Sequence, residues 1–272
     1  MRMTPKNAAF VRELVYGKSA IVLDESKHYL IESRLDPLAR AKRISSIDSL
    51  ITRAQNGAID LQIELVEAIT TNETTFFRDL VPFEALRTVI LPRLLASRAS
   101  GRSLTIWSAA CSTGQEPYSL AMLLNEHFPM QARWPIKIVA TDLSRPTLER
   151  ARAGRYRQIE INRGLPAALL VKYFKREGSE YVVSPDLRAM LDFRLVNLIE
   201  PWPLGLRPDL VFMRNVLIYF DVPTKKTILE RLRRVIARDG ALFLGSAETT
   251  LSIDDGWERV AFATSSYYCP RP

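Results

Sequence analysis

The feature that most constrains the fold of this 272-residue chain is an alternation that begins at Leu104. Short apolar runs at 104–107, 136–140 and 210–213 are separated by segments with helical signals, for example 115–127. Such runs are typical of strands buried on both faces of a sheet, and the helices between them act as crossovers. The alternation therefore predicts an α/β core built on a parallel sheet.

The rest of this region predicts two more helices and two closing strands. Ser144 is a candidate N-cap for a helix that reaches Ala153, and another helix is predicted over 222–238. Apolar stretches at 241–245 and 267–269 predict the two strands. We expect these strands to pair as an antiparallel hairpin at the edge of the sheet.

The first 70 residues carry helical periodicity and no strand pattern. Thr4-Pro5 predicts a helix start, because threonine caps free amide groups and proline suits the first turn. Later helices are predicted to break at Pro37 and to end at Asn56-Gly57. The segment predicts a small helical bundle, and we place the domain edge between residues 75 and 76.

Composition excludes several classes of protein. Hydrophobic residues make up 47% of the chain and charged residues 25%, as in globular proteins. No stretch approaches the roughly 18 apolar residues that a membrane span needs, so we expect a cytoplasmic protein without membrane insertion. Two cysteines without CxxC spacing and two histidines argue against a metal site and leave little histidine for acid–base catalysis.

The net charge of +8 indicates an acidic partner or an unbalanced surface. The excess is concentrated in two stretches. Residues 145–176 hold nine Lys or Arg against two Glu, and residues 27–43 hold five against two acids. Each stretch is either a solvated helix surface or a docking surface. Aromatic residues are not interleaved with the charges as single-stranded nucleic acid binding requires.

A candidate ligand loop follows the first predicted strand. Residues 107–117 leave that strand and open a helix, where doubly wound folds bind nucleotides, but Gly114 is the only glycine and the dinucleotide fingerprint is absent. The next strand ends at Asp142, whose carboxylate can hold two ribose hydroxyls; alternatively, Asp142 only caps the following helix. Together the two features favour an adenosyl ligand without a pyrophosphate.

Asparagine follows two further predicted strands, as Asn197 and Asn215. A side-chain amide can donate to and accept from an adenine edge or an amino-acid head group, although asparagine also simply tolerates a turn. Tyr219 and Phe220 follow closely and either wall a reacting centre or pack in the core.

Three motifs resemble the CheR family of chemotaxis receptor glutamate methyltransferases. They are TTNETTFFRD at 70–79, SAACSTGQEPYS at 108–119 and RNVLIYFD at 214–221. The resemblance spans nearly the whole chain. It implies an all-α amino-terminal domain, followed by a Rossmann-like class I S-adenosylmethionine-dependent methyltransferase domain with a small β-subdomain inserted at about 165–194.

The resemblance also implies the cofactor site. S-adenosylmethionine would contact residues of the interdomain segment and of the strand ends, namely Asn72, Thr74, Arg78, Glu116, Asp142, Asn197, Leu198, Asn215 and Val216. The roles of Asn72 and Thr74 come only from the resemblance. Gln115 replaces an acid that is common in the family, but the neighbouring Glu116 is kept.

The implied reaction converts glutamate side chains on the cytoplasmic helices of chemoreceptors to methyl esters. A glutamate carboxylate is ionised at pH 7 and needs no general base, which agrees with the scarcity of histidine. We assign Arg78 to positioning that carboxylate, because a guanidinium matches it in a bidentate manner. Tyr219 is a second candidate, for orienting the methyl donor or acceptor, and Phe76 and Phe77 are candidates for an aromatic wall.

The resemblance implies partners as well. The basic stretch 27–43, which includes Arg34, is where the family docks acidic receptor helices. The segment 173–197 is short compared with members that bind a tethering peptide at the receptor tail, so we expect tether-independent recognition. A nucleic-acid methyltransferase and a non-catalytic S-adenosylmethionine-binding signalling module stay as alternatives. The first is disfavoured because 214–220 lacks the Asn/Asp-Pro-Pro-aromatic core of base-modifying enzymes.

Overall fold

The computed structural model describes residues 3–131, 134–202, 205 and 207–271. The chain forms two compact units. One contains the chain up to Thr71 together with Tyr219–Thr224, and the other contains Asn72–Ile218 and the chain from Lys225 onwards. The sequence analysis placed the domain edge four residues after Thr71.

The helical unit contains helices α1 (Pro5–Ser19), α2 (His28–Ala41), α3 (Ile47–Gln55) and α4 (Ile59–Ile69). The predicted N-cap is confirmed, since the Thr4 hydroxyl accepts a hydrogen bond from the Asn7 amide. The side chains that the helices bury together include Val11, Ile31, Leu50 and Leu65, all fully buried. The periodicity of the first 70 residues therefore predicted this unit correctly.

The predicted break at Pro37 is wrong, because Pro37 lies inside α2. A proline in a helix interior removes one backbone hydrogen bond and costs about 3 kcal/mol. Leu35 and Ala39, on either side of it, are both buried against the other helices. Burial of that shared face offsets the local cost, and α2 continues to Ala41.

The second unit contains ten strands and eight further helices in its described residues. The strands are β1 (Leu104–Ala109), β2 (Ile136–Asp142), β3 (Arg155–Arg157), β4 (Phe174–Glu177), β5 (Glu180–Val183), β6 (Leu191–Leu195), β7 (Leu210–Phe212), β8 (Ala241–Phe243), β9 (Trp257–Phe262) and β10 (Ser265–Pro270). The helices are α5 (Leu80–Ala85), α6 (Leu91–Ser97), α7 (Gln115–His127), α8 (Arg145–Ala153), α9 (Gln158–Ile161), α10 (Ala167–Tyr173), α11 (Pro185–Ala189) and α12 (Val222–Val235), of which α12 has its first three residues in the helical unit.

Seven strands form one sheet in the order β6-β2-β1-β7-β8-β10-β9. The first five are parallel, with Ala109 opposite Thr141 and Ile106 opposite Leu210 in the registers of β1. Only β10 reverses the direction, because it is antiparallel to both β8 and β9. The predicted α/β core with a parallel sheet is confirmed.

The predicted closing hairpin is only partly correct. The stretches 241–245 and 267–269 do lie in adjacent antiparallel strands, but the hairpin partner of β10 is β9, which the sequence analysis missed. β9 is an edge strand in which Glu258, Arg259 and Ala261 are exposed. Charged side chains are common on edge strands, and they hid the strand pattern.

The remaining strands form a small antiparallel sheet in the order β3-β5-β4. It spans residues 155–183, whereas the sequence analysis expected the inserted β-subdomain at about 165–194. The small sheet begins earlier because β3, at 155–157, pairs with β5, and it ends earlier because β6, at 191–195, pairs with β2 in the large sheet.

The core of the second unit lies between the large sheet and its helices. Its largest fully buried side chains include Trp107, Tyr118, Tyr156 and Phe212. Among the described residues, the helices lack the combination of length and hydrophobicity that a membrane span requires.

Candidate functional site

The site is built on the carboxyl edge of the parallel strands. β1, β2, β6 and β7 run in the same direction, so the loops that follow them meet at one edge of the sheet. Open α/β sheets bind ligands outside this edge. Asp142 is the last residue of β2, Glu116 lies in the first turn of α7, and Asn197 and Asn215 lie in the loops after β6 and β7, in agreement with the positions expected from the sequence.

The loop between β1 and α7 has an unusual backbone. Ala110, Ser112 and Gly114 all have positive φ angles, of 54°, 51° and 94°. A Cβ atom at Gly114 would lie 3.0 Å from the Ala151 Cβ and 3.1 Å from the Tyr156 hydroxyl, so both conformation and space require glycine there. The loop is therefore fixed by packing on its inner side.

Asp142 is 7% exposed and joins this loop to the start of α8. Its Oδ2 atom accepts a hydrogen bond from the Ser112 amide at 2.9 Å, and its Oδ1 atom accepts one from the Ser144 amide at 3.0 Å. Ser144 is itself the N-cap of α8, as predicted. The N-cap of α8 is thus Ser144 rather than Asp142, whose carboxylate binds the amide of that capping residue and lies buried at the ligand edge.

Glu116 and Arg214 form a largely buried ion pair, with side chains that are 12% and 1% exposed. The Glu116 carboxylate accepts hydrogen bonds from the Ser108 hydroxyl at 2.8 Å and from the Arg214 guanidinium at 3.2 Å. Burial raises the pKa of Glu116, and the charge of Arg214 opposes that rise. Both oxygens of Glu116 are engaged within the protein, so its primary structural role is to hold Arg214.

Arg214 also fixes the segment that carries Arg78. Its side chain is 1% exposed, and its Nη2 atom donates to the Asp79 carboxylate at 2.8 Å and to the Arg78 carbonyl at 2.9 Å. The sequence analysis did not assign Arg214 or Asp79. The sequence feature that could have identified them is their position, because Arg214 directly precedes Asn215 at a strand end and Asp79 directly follows Arg78.

The segment of the first motif is fastened at several points. The Asn72 carbonyl accepts from the Ser112 hydroxyl at 2.8 Å, and the Arg78 guanidinium donates to the Glu73 carbonyl at 3.2 Å. Phe76 is fully buried, with its ring centre 5.1 Å from that of Tyr156. The expectation that Phe76 walls the reacting centre is therefore wrong, because its ring is packed in the core.

Phe77 and Thr74 complete this segment. The Phe77 amide donates to the Ser119 hydroxyl at 3.0 Å, and its ring packs edge-on against Phe83 with centres 5.2 Å apart. Phe77 and Thr74 are both half-buried. Ser119 thereby ties the segment to α7.

Asn215 has a left-handed backbone, with φ of 59°. Its amide donates to the Glu248 carboxylate at 2.7 Å. Sequence reasoning missed Glu248, which follows the end of β8 by five residues; the available signal was an acidic residue after a buried strand. Val216, next to Asn215, is half-buried.

The loop after β6 shows turn chemistry. The Asn197 side chain donates to Glu200 at 3.1 Å and accepts from the Ile199 amide at 3.4 Å, as an asparagine does in a turn. Leu198 is 6% exposed. Tyr219 is grouped with the helical unit, where its carbonyl accepts from the Val22 amide at 2.9 Å.

A cavity of about 300 Å³ is lined by residues of 79–82, of the loop after β8 and of the β9–β10 hairpin. Asp79, Glu248, Arg259 and Tyr268 contribute polar groups to its wall, and 80–82 contributes apolar ones. Because β10 is antiparallel, the turn before it lies at the same edge as the ends of the parallel strands. The volume of the cavity is at the lower end of the range of small-molecule sites.

Ion pairs neutralise part of the charge in both basic stretches. In 145–176 they join Arg150 to Glu160, Arg155 to Glu177 and Glu180, Arg163 to Glu73, and Lys172 to Glu126. In 27–43 they join Lys27 to Asp24, Arg40 to Asp36, and Lys42 to Glu64. Arg34 and Arg43 form no ion pair with any described residue, so pairing alone does not decide between a solvated surface and a docking surface for either stretch. No group of three or more His, Cys, Asp or Glu in the described part of the chain could hold a metal ion.

Two family models match this chain. Residues 72–266 match the CheR methyltransferase, SAM binding domain, and residues 7–70 match the CheR methyltransferase, all-alpha domain. Chemotaxis protein methyltransferase 1 of Pseudomonas aeruginosa is 39% identical over 272 residues, which cover 98% of this chain and 99% of that protein. Chemotaxis protein methyltransferase Cher2 of Pseudomonas putida is 37% identical over 98% of this chain and 99% of its own length. Chemotaxis protein methyltransferase 1 of Vibrio cholerae is 38% identical over 90% of this chain and 89% of its own length.

Proposed function

Because the chain belongs to the CheR methyltransferase family, we propose that it methylates glutamate side chains of chemoreceptors, with S-adenosylmethionine as the methyl donor. The product would be a glutamate methyl ester. The observation that carries the proposal is the carboxyl edge of the large sheet, where Asp142, Asn215 and the 108–116 loop are held in place by hydrogen bonds.

The residues at this edge fit the cofactor. The proposed contacts are Asn72, Thr74, Arg78, Glu116, Asp142, Asn197, Leu198, Asn215 and Val216. The buried Asp142 carboxylate suits ribose hydroxyls, and the small side chains of the loop after β1 let a nucleoside approach the backbone. S-adenosylmethionine supplies an activated methyl group on a positively charged sulfur.

The acceptor needs no proton removed. A glutamate carboxylate, with a reference pKa of about 4.3, is already ionised at neutral pH. Charge disappears as an anionic acceptor meets a cationic donor, so a site shielded from water favours the transfer. The chain must therefore orient and desolvate the carboxylate rather than activate it.

Arg78 is the proposed orienting group. Its backbone is fixed by Arg214, and its guanidinium donates to the Glu73 carbonyl, which leaves further N–H donors for a carboxylate. We expect Arg78→Ala to lower the methyl-transfer rate, whereas unchanged rate and cofactor affinity would contradict the assignment. Tyr219 is the weaker candidate, and Tyr219→Phe tests its hydroxyl.

The proposed partner is the helical region of a chemoreceptor, docked on α2. The stretch 27–43 has a local charge balance of +3, and Arg34 lies within it. Attraction between such a surface and an acidic helix weakens with salt. Methyl transfer should therefore slow as ionic strength rises.

We also propose that no receptor tail peptide is needed, which a binding measurement with such a peptide tests.

The decisive experiment is transfer of labelled methyl groups to membranes that carry the receptors, followed by mild base treatment. Release of volatile methanol is the expected result, because carboxyl esters hydrolyse under conditions that methylated amines, amides and bases survive. Label that transfers but resists base would contradict the glutamate acceptor and leave the methyltransferase activity in place. Arg78→Ala serves as the low-transfer control.

A further inference from the structure

Glu248 lies in the turn after β8, and its carboxylate fastens that turn to the loop after β7. Its Oε2 atom accepts from the amides of Asn215 at 2.7 Å and Gly245 at 2.6 Å, and its Oε1 atom accepts from the Ile218 amide at 3.2 Å. Hydrogen bonds to a charged acceptor are about twice as strong as those between neutral groups. One carboxylate therefore sets the spacing of two loops.

The bond to Asn215 supports a strained backbone. Asn215 has a φ of 59°, a left-handed conformation that residues other than glycine adopt rarely, although asparagine tolerates it better than most. Such a conformation persists where the surrounding structure holds it, and it is common at functional sites. Glu248 binds the amide of the strained residue itself.

The two loops also approach each other closely. A Cβ atom at Gly245 would lie 2.6 Å from the Asn215 Nδ2 atom and 2.8 Å from the Glu248 Oε2 atom. Glycine at 245 is thus a condition for the contact. Glu248 forms no ion pair with a Lys or Arg side chain of the described residues, so its charge serves these backbone amides.

We propose that Glu248 is a positioning residue of the cofactor site. It holds Asn215 and Val216 in the conformation in which they bind S-adenosylmethionine, and it acts through their backbone. The inference rests on the proposed assignment of Asn215 and Val216 to the cofactor. Its consequence is that loss of the Glu248 carboxylate weakens cofactor binding more than it slows transfer at saturating cofactor.

The test is calorimetric titration of the full chain with S-adenosylhomocysteine, the reaction product. Glu248→Ala should bind it about tenfold more weakly or worse, because three charge-assisted bonds are lost. Glu248→Gln should have an intermediate effect, since its carbonyl oxygen can still accept from Asn215 and Gly245, whereas the charge is lost and its NH2 group faces the Ile218 amide. In the transfer assay, KM for S-adenosylmethionine should rise with the affinity loss while kcat changes by less than about threefold.

Asp254→Ala is the matched control. Asp254 is also a carboxylate that accepts from a backbone amide, that of Gly256 at 3.0 Å, and it pairs with Arg233. It precedes β9, at the opposite end of the β9–β10 hairpin from the turn. Asp254→Ala should lower the melting temperature and leave the affinity for S-adenosylhomocysteine unchanged.

The variants distinguish a failure of the positioning role of Glu248 from a failure of the proposed cofactor site. If Asn215→Ala binds S-adenosylhomocysteine as tightly as the unchanged protein, the assignment of the cofactor site is wrong. If Asn215→Ala loses affinity and Glu248→Ala does not, only the positioning role is overturned. Should Glu248→Ala fail to fold, Glu248→Asp replaces it: the charge is kept but the side chain is one methylene shorter, so the hydrogen bonds to Asn215 and Gly245 are lost or lengthened and cofactor binding must weaken. Unchanged affinity in that variant would overturn the positioning role.

Discussion

The carboxyl edge of the large sheet and the surface of residues 145–180 both concentrate charged side chains, but they pair them differently. At the edge, Arg214 is 1% exposed and joins Asp79 to the buried Glu116. On the surface, Arg155 is 41% exposed and pairs with Glu177 and Glu180 in water. Buried pairs are costly to break and exposed pairs contribute little, so a count of charges along the sequence does not show where electrostatics matter.

Arg214→Met breaks the buried pair and should have the largest effect. We expect the free energy of unfolding to fall by about 3–5 kcal/mol, because the substitution leaves the Glu116 carboxylate buried without a cation. Urea denaturation followed by circular dichroism measures the change. Adding Glu116→Gln should restore part of it, since glutamine brings no buried charge.

The pH dependence of Arg214→Met sharpens this prediction. Burial raises the pKa of Glu116 above its ordinary value. At a pH below the unfolded-state pKa the carboxyl is protonated in both the folded and the unfolded state. The loss of unfolding free energy caused by Arg214→Met, the deficit, should therefore be smallest there. It should grow as pH rises through the folded-state pKa, where ionisation costs the folded protein. A deficit that is equally large at pH 4 and pH 7 would point to lost packing instead.

Asp142→Asn tests the ligand side of the same edge. The amide places a donor where a carboxylate oxygen now accepts from the Ser112 or Ser144 amide, and it removes the charge proposed to hold the ribose. Loss of one charge-assisted bond, about 1.5–3 kcal/mol, corresponds to about 10-fold to 150-fold weaker binding of S-adenosylhomocysteine. Calorimetry measures it, with the exposed Asp186→Asn as control. Equal affinities of the two variants would remove Asp142 from the site.

The sequence predicted the fold well where periodicity and caps agree with tertiary packing. The parallel strands, the helix capped by Ser144 and the helical bundle are confirmed, and the family match confirms the all-α domain, the methyltransferase domain and its cofactor. The failures have physical causes. Burial of one face of α2 stabilises the helix in spite of Pro37, so the predicted break does not occur. The exposed charged residues of β9 interrupt the apolar pattern by which a strand is recognised in the sequence.

The candidate site was predictable only in part. Asp142 and Asn215 follow buried strands, which the sequence shows directly. Arg214 and Glu248 act through partners that are 98 and 33 residues away along the chain, Glu116 and Asn215 respectively. Such pairings depend on strand order, which a local pattern does not contain. For the same reason the pairing of the 145–176 charges could not be predicted.

The Arg98–Asp239 pair lies between the two extremes, because the Arg98 side chain is 23% exposed, against 1% for Arg214 and 41% for Arg155. The Asp239 side chain is 45% exposed, and hydrogen bonds from Arg98 hold its pKa at about 2, below the usual 3.8. A lowered carboxyl pKa stabilises the fold above the unfolded-state value, and this contribution is lost as pH falls from about 4 to about 2. Because solvent screens the pair, Asp239→Asn should cost about 1 kcal/mol at pH 7. Urea midpoints at pH 7 and pH 2.5 measure it, and a deficit that persists at the lower pH would contradict the mechanism.

Arg155→Ala should have the smallest effect and completes the comparison with Arg214→Met. Arg155 makes two ion pairs, as Arg214 does, yet both of its acidic partners stay hydrated when it is removed, at 44% and 38% exposure. No buried charge is left behind, so the urea midpoint should not change measurably. Arg150→Ala is the control, because it measures the effect of replacing another surface arginine of the same stretch by alanine. A loss comparable to that of Arg214→Met would mean that pairing in the small sheet is cooperative, and that exposure alone does not separate the two regions.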